Sequence, residues 1–281
     1  MHTEIFYTDK INKESKIALI SDIHFNDKFK RKIFAKILKQ IKNNYPDYIT
    51  IAGDILDTSN TTNLDDLKDF LIELTQIAPT MAVLGNHDEK AGSLHNWTHV
   101  KNEKLLELLK SIDNLYYLND NIVTFKDITF YGFNLSYHHY EVTKESYETF
   151  CDEVSKLKCS IPKTTYNITL FHSPINIYTY LKNNKKSELN KSDLILSGHM
   201  HNGCLPHTIA HILNKTFKTT RGLISPRRSI FPKYAQGRIY ERDGYVYQGI
   251  MKLSHYTKMF NLLDFLFQKQ THFIIIKPNK K

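Results

Sequence analysis

Five times along this chain an apolar run suited to a buried strand stops, and a side chain able to bind a metal ion follows within about three residues. Ile17–Ile20 leads into Ser21-Asp22-Ile23-His24, and Tyr48–Ala52 into Gly53-Asp54-Ile55-Leu56-Asp57. Thr80–Leu84 leads into Gly85-Asn86-His87-Asp88, Tyr166–Phe171 into His172-Ser173-Pro174, and Asp193–Ser197 into Gly198-His199-Met200-His201. Continuous apolar runs of this length read as strands covered on both faces. Amphipathic segments separate them. Asp27–Ile41 repeats Phe29, Ile33, Phe34, Ile37, Leu38 and Ile41 at helical spacing, and Leu64–Ile77 and Trp97–Leu109 also read as helices. Further strands are predicted at Tyr116–Leu118, Ile122–Phe125, Ile128–Phe133, Tyr245–Met251 and Phe273–Ile276, with a helix between the last two. This β-α-β rhythm predicts an α/β sandwich. In open α/β sheets ligands bind beyond the carboxyl ends of the strands, so residues 22 to 201 should converge on one crevice. That convergence makes residues 1–281 a single domain.

The donor types narrow the chemistry. Carboxylate, imidazole and amide without thiolate suit Mn, Fe or Zn and argue against a structural cysteine–zinc site. The donors are too many for one ion. Two ions about 3.5–4 Å apart, sharing a carboxylate, would use them all. Gly53, Gly85 and Gly198 each precede a candidate ligand, where a residue without Cβ lets the backbone turn in a crowded site.

Composition limits the setting. The 281 residues are 41% hydrophobic and 24% charged, which excludes collagen-like and broadly disordered classes. Three cysteines exclude a disulfide scaffold and predict a reducing compartment. The N-terminus mixes both charge signs, and no apolar run approaches the roughly 20 residues that span a bilayer. The expectation is a cytoplasmic protein. Its net charge of +9 is mostly solvated surface, yet it can also hold the protein against an anionic membrane face.

The ordered series Asp22-x-His24, Gly53-Asp54-x-x-Asp57, Gly85-Asn86-His87-Asp88, His172 and Gly198-His199-x-His201 resembles the calcineurin-like metallophosphoesterase family. Its last motif continues His201-Asn202-Gly203, as in the bacterial phosphodiesterase branch. The resemblance implies a four-layer αββα sandwich with two mixed sheets and two divalent metal ions (Mn, Fe or Zn). It implies that Asp22, His24 and His201 hold the first metal, that Asn86, His172 and His199 hold the second, and that Asp54 bridges them. A metal-bridging hydroxide would attack phosphorus, and His87 would protonate the leaving oxygen. Asp57 would orient His87 by hydrogen bonding, with Asp88 as the competing orienter.

The expected partner is a small phosphorylated substrate carrying a phosphodiester or pyrophosphate bond. A cyclic-nucleotide phosphodiesterase and a lipid-linked or nucleotide-sugar pyrophosphatase are the alternatives. A non-catalytic scaffold is disfavoured because every ligand is present. Nucleic acid is not the expected partner, since nuclease relatives carry long added domains. Arg221–Arg238 interleaves basic residues with Ile, Phe and Tyr, and Arg227 and Arg228 are its candidate substrate-binding or membrane-binding pair. His95 and His99, at helical spacing, are discounted as metal ligands, His138-His139 in Ser136–Tyr140 reads as an ordinary surface loop rather than an active-site lid, and Cys204 reads as an inert thiol.

Overall fold

Alternation along the apolar runs decides the architecture. A computed structural model describes residues 3–26, 31–93, 96–136, 139, 144–200, 209, 212, 216–217, 234–235, 237–246 and 271–279. One six-stranded sheet has the order β1 (Thr3–Thr8), β14 (His272–Pro278), β2 (Ser15–Ile20), β3 (Tyr48–Ala52), β4 (Thr80–Val83), β7 (Leu115–Tyr117). The second has the order β12 (Gly237–Ile239), β13 (Gly244–Val246), β11 (Leu194–Ser197), β10 (Tyr166–Leu170), β9 (Ile128–Gly132), β8 (Asn121–Phe125). Both are mixed. β2, β3, β4 and β7 run parallel while β14 opposes β2, and β9, β10, β11 and β13 run parallel while β8 and β12 oppose their neighbours. A hairpin of β5 (Lys90–Ser93) and β6 (Asn96–His99) stands apart from both sheets.

Ile17 and Leu19 point into the space between the sheets, where they meet Ile168, Leu170, Leu194 and Leu196. Their neighbours Ala18 and Ile20 point the other way, against Ile33, Phe34, Ile37 and Ile41 of α1 (Arg31–Lys42) and Leu67, Phe70, Leu71 and Leu74 of α2 (Asp65–Ile77). α3 (Glu103–Ser111) packs on this same outer face through Leu105, Leu108 and Leu109. Beyond the second sheet, Tyr131, Phe171 and Ile195 pack against Phe150 and Val154 of α4 (Lys144–Ser155) and Ile177 and Leu181 of α5 (Ile177–Asn183). The four layers are therefore helix, sheet, sheet, helix, as expected for the αββα class. Period-two alternation buries both faces of each central strand, which explains why these strands are apolar throughout.

One prediction is corrected. Trp97–Leu109 is not one helix, because Asn96–His99 pairs with β5 and the helix begins at Glu103. Asn102 starts it by accepting a hydrogen bond from the Leu105 amide with its side chain. Its amide group also donates to the carbonyls of Ser59 and Thr61, fixing where the helix can begin.

Candidate metal centre

The parallel strands end at a common edge, and the residues beyond them meet there. Asp22 and His24 follow β2, Asp54 follows β3, Asn86 and His87 follow β4, His172 follows β10, and His199 follows β11. Asp22, His24, Asp54, Asn86, His172 and His199 are all buried. Candidate ligands from both sheets come together across the sandwich. His172 Nε2 lies 3.1 Å from Asp54 Oδ2 and 4.0 Å from Asp22 Oδ1. The His199 amide donates to both oxygens of Asp22, at 2.9 and 3.1 Å, and the His172 and His199 rings are 5.1 Å apart.

Three groups of candidate ligand atoms result, each within 4.8 Å of one another: His24, Asp57 and His87, partly exposed at the rim, and two fully buried ones, Asp22, His24 and Asp54, and Asp54, His172 and His199. Asp54 belongs to both buried groups. The donor set fits two divalent ions, and one buried atom tests that fit. Asn86 Oδ1 has no hydrogen-bond partner among the described residues. Such an orphan is costly unless a ligand satisfies it. His172 is fixed for coordination, since its Nδ1 faces the Ala52 carbonyl at 2.6 Å and leaves Nε2 for a metal. His201, Arg227, Arg228 and Cys204 lie outside the described residues, so nothing here places them.

Local backbone conformation explains why these residue types stand here. Asp22, His24, Asp54 and His199 have φ of 51°, 48°, 49° and 71°. This left-handed region costs a non-glycine residue about 1–2 kcal/mol, and Asp, Asn and His enter it most readily. Backbone bonds hold the turns: the Asp22 amide donates to the Gly53 carbonyl and the His24 amide to the Asp54 carbonyl. A fully buried Ile contributes about 1.5–3 kcal/mol, so the strand ahead of each strained turn outweighs it. Gly53, at φ +87°, has no alternative, because a Cβ there would lie 2.5 Å from His172 Nδ1. A Cβ on Gly85 would collide with the Asp54 carboxylate.

His87 stands at the rim, half-buried, with its ring edge-on to His24 at 4.7 Å. The contact with Asp57 differs from the expectation. His87 Nδ1 meets the Asp57 backbone carbonyl at 2.7 Å, while the Asp57 carboxylate lies 3.6 Å from His24 Nδ1 and accepts from the Asn26 side chain at 3.1 Å. Asp88 is not the orienter either. Buried beneath the loop, it accepts from the amides of Gly85, Ile55 and Leu56 at 2.8, 3.2 and 2.7 Å, tying the β4 loop to the β3 loop. Asp88→Ala would strand those amides at about 1–3 kcal/mol each before relaxation. We expect it to lower unfolding stability by about 3 kcal/mol, read as a lower midpoint in urea.

Charge is concentrated here. Burial disfavours charge on Asp54, yet His172, His87 and His24 around it hold its carboxyl well below the ordinary range. Burial likewise opposes charge on His172, but Asp54 lifts it to about 9. Asp22 is pushed up to about 6, by burial first and with Asp54 contributing. Burial pushes His87 below its ordinary value.

Sequence reasoning missed Asn134, just past the end of β9. Its Oδ1 accepts from the Leu84 amide at 2.6 Å, and its Nδ2 donates to the Leu118 carbonyl at 3.0 Å, which steadies the start of the Asn86–His87 loop. The signal was a sixth polar residue closely following a buried strand. The surface-loop reading fails at His139, whose ring is buried against the Glu153 carboxylate, with Nε2 2.8 Å from Oε2. His99 is exposed on β6. No helix among the described residues is long and apolar enough to cross a membrane.

Comparison with known proteins gives the same picture. A family model described as calcineurin-like phosphoesterase matches residues 15–203. An uncharacterized metallophosphoesterase of Campylobacter jejuni is 27% identical over 198 residues, covering 69% of this chain and 46% of its own length. One of Aquifex aeolicus is 28% identical over 220 residues, covering 77% of this chain and 75% of its own length. A UDP-2,3-diacylglucosamine pyrophosphatase of Chlamydia muridarum is 32% identical over 73 residues, or 26% of this chain and 22% of its own length. The chain spans about half the length of the first curated relatives it matches.

Proposed function

The chain belongs to the calcineurin-like phosphoesterase family, and from that premise we propose a two-metal hydrolase acting on phosphodiester or pyrophosphate bonds. The observation that carries this reading is Asp54, shared by two groups of buried ligands. When bound, two divalent ions supply a water that ionises near neutral pH and positive charge facing the phosphate oxygens. Asp54 would reach both ions and set their spacing. Asp22, His24 and His201 would complete one side, and Asn86, His172 and His199 the other. His87, whose Nδ1 meets the Asp57 carbonyl, would protonate the leaving oxygen through Nε2. Its lowered pKa makes the imidazolium the stronger acid.

A pyrophosphate in a nucleotide-sugar or lipid-linked substrate is the second reading, and the short match to the chlamydial pyrophosphatase favours it. Mn, Fe or Zn would serve as the metal, Arg227 and Arg228 would grip the substrate or a membrane face, and residues 1–281 would act as one domain in the cytoplasm. The test is a panel of bis-p-nitrophenyl phosphate, p-nitrophenyl phosphate and UDP-sugars, with and without chelator. Mn2+-restored cleavage of the diester or the pyrophosphate is the expected outcome. Unchanged turnover in the chelated, metal-free protein would refute the mechanism.

A further inference from the structure

We propose that the Asp57 carboxylate positions the metal ligand His24, and that Asp57 serves His87 only through its backbone. The assignment rests on the two-metal reading of the site. His24 lies between two carboxylates. Its Nε2 faces Asp54 Oδ2 at 3.8 Å, inside the ligand group with Asp22, and its Nδ1 faces Asp57 Oδ1 at 3.6 Å. An imidazole that ligates through Nε2 must carry its proton on Nδ1. That nitrogen is buried, so its N–H needs an acceptor. Asp57 Oδ1 stands on that side. Asn26 steadies the same carboxylate from behind by donating to Oδ2 at 3.1 Å.

His87 makes a different demand and has already met it. Its Nδ1 is 2.7 Å from the Asp57 carbonyl oxygen, an atom no side-chain substitution removes. The backbone there is tied down as well, since the Asp57 amide donates to the Phe25 carbonyl at 2.9 Å and Phe25 bridges to Leu56. One residue thus sets two histidines, a ligand with its carboxylate and the proton donor with its peptide group. Asp57 is a positioning residue on this account and touches neither metal nor phosphate.

The test separates metal affinity from turnover. Asp57→Ala and Asp57→Asn are dialysed against graded Zn2+ or Mn2+, and bound metal is measured by mass spectrometry alongside turnover. Losing an acceptor behind a metal-bound histidine typically costs about 10–100-fold in affinity. Asp57→Ala should lose one of its two ions with a Kd raised by that factor, and the activity it loses should return as metal is raised. Asp57→Asn keeps Oδ1 as an acceptor and should fall within about threefold of wild type, because one hydrogen bond to a neutral acceptor is retained. Two full-affinity ions in Asp57→Ala, together with a kcat loss that metal does not rescue and a displaced pH profile, would overturn the assignment and give the carboxylate to His87. Should Asp57→Ala not fold, 15N-histidine spectra of Zn2+-loaded wild type decide. Protonated Nδ1 and metal-shifted Nε2 on His24 support the proposal, and the reverse tautomer sinks it. Wild type that takes up no metal would refute the two-metal reading itself, a separate failure.

Discussion

Asp54→Asn should abolish phosphoester turnover and strip metal from both sides of the centre, while leaving the sandwich folded. The carboxylate does two jobs that an amide divides unequally. Oδ1 accepts from the His87 amide at 2.9 Å, which Asn can imitate, and Oδ2 lies 3.1 Å from His172, where the negative charge itself matters. The loop should therefore keep its shape and the site should lose its charge. Metal charge at the transition state is worth several kcal/mol, or about 10^3-fold in kcat at 1.36 kcal/mol per decade. Metal analysis, circular dichroism and turnover of one sample check all three parts. Full metal content with lost activity would mean that Asp54 bridges nothing.

His87→Ala should behave in the opposite way, keeping metal and losing chemistry selectively. A positioned acid contributes about 10^2–10^4-fold, chiefly when the departing oxygen is a poor leaving group. Alkyl or sugar phosphodiesters should suffer that full loss. A p-nitrophenyl ester, whose phenolate departs without a proton, should lose no more than about tenfold. Equal losses on both substrates would reassign His87 to charge stabilisation alone. The ring meets the Asp57 backbone carbonyl, and the His87 amide, which the truncation keeps, donates to Asp54 Oδ1.

The central strands and the gathering of candidate ligands beyond them were legible because two independent signals coincide there. Burial on both faces writes an uninterrupted apolar run, and the crowded edge beyond it admits few residue types. The fold's four layers follow from the same alternation. What the chain could not disclose was direction of contact. That Asp57 lies near His87 is implied by the motif, but whether peptide or carboxylate makes the bond depends on the turn after Gly53, set by φ values invisible in a residue list. The same holds for Asp88, whose three amide partners come from two loops 30 residues apart in sequence. Trp97 misled because a short hairpin and a helix share the apolar content that periodicity reads, and Asn102 divides them with a local cap.

The order of the first sheet carries one more consequence. β14 is inserted between β1 and β2, so the strand that launches Asp22 and His24 takes one of its two neighbours from residues 272–278. During synthesis every candidate ligand through His201 emerges before that strand exists. β2 must wait with one edge unpaired, and its pairing with β14 closes a loop of some 250 residues. Assembly of the candidate ligands is thereby coupled to a strand made after all of them, and a chain cut short before Thr271 would present an open edge to other molecules where the complete sheet has an interior strand.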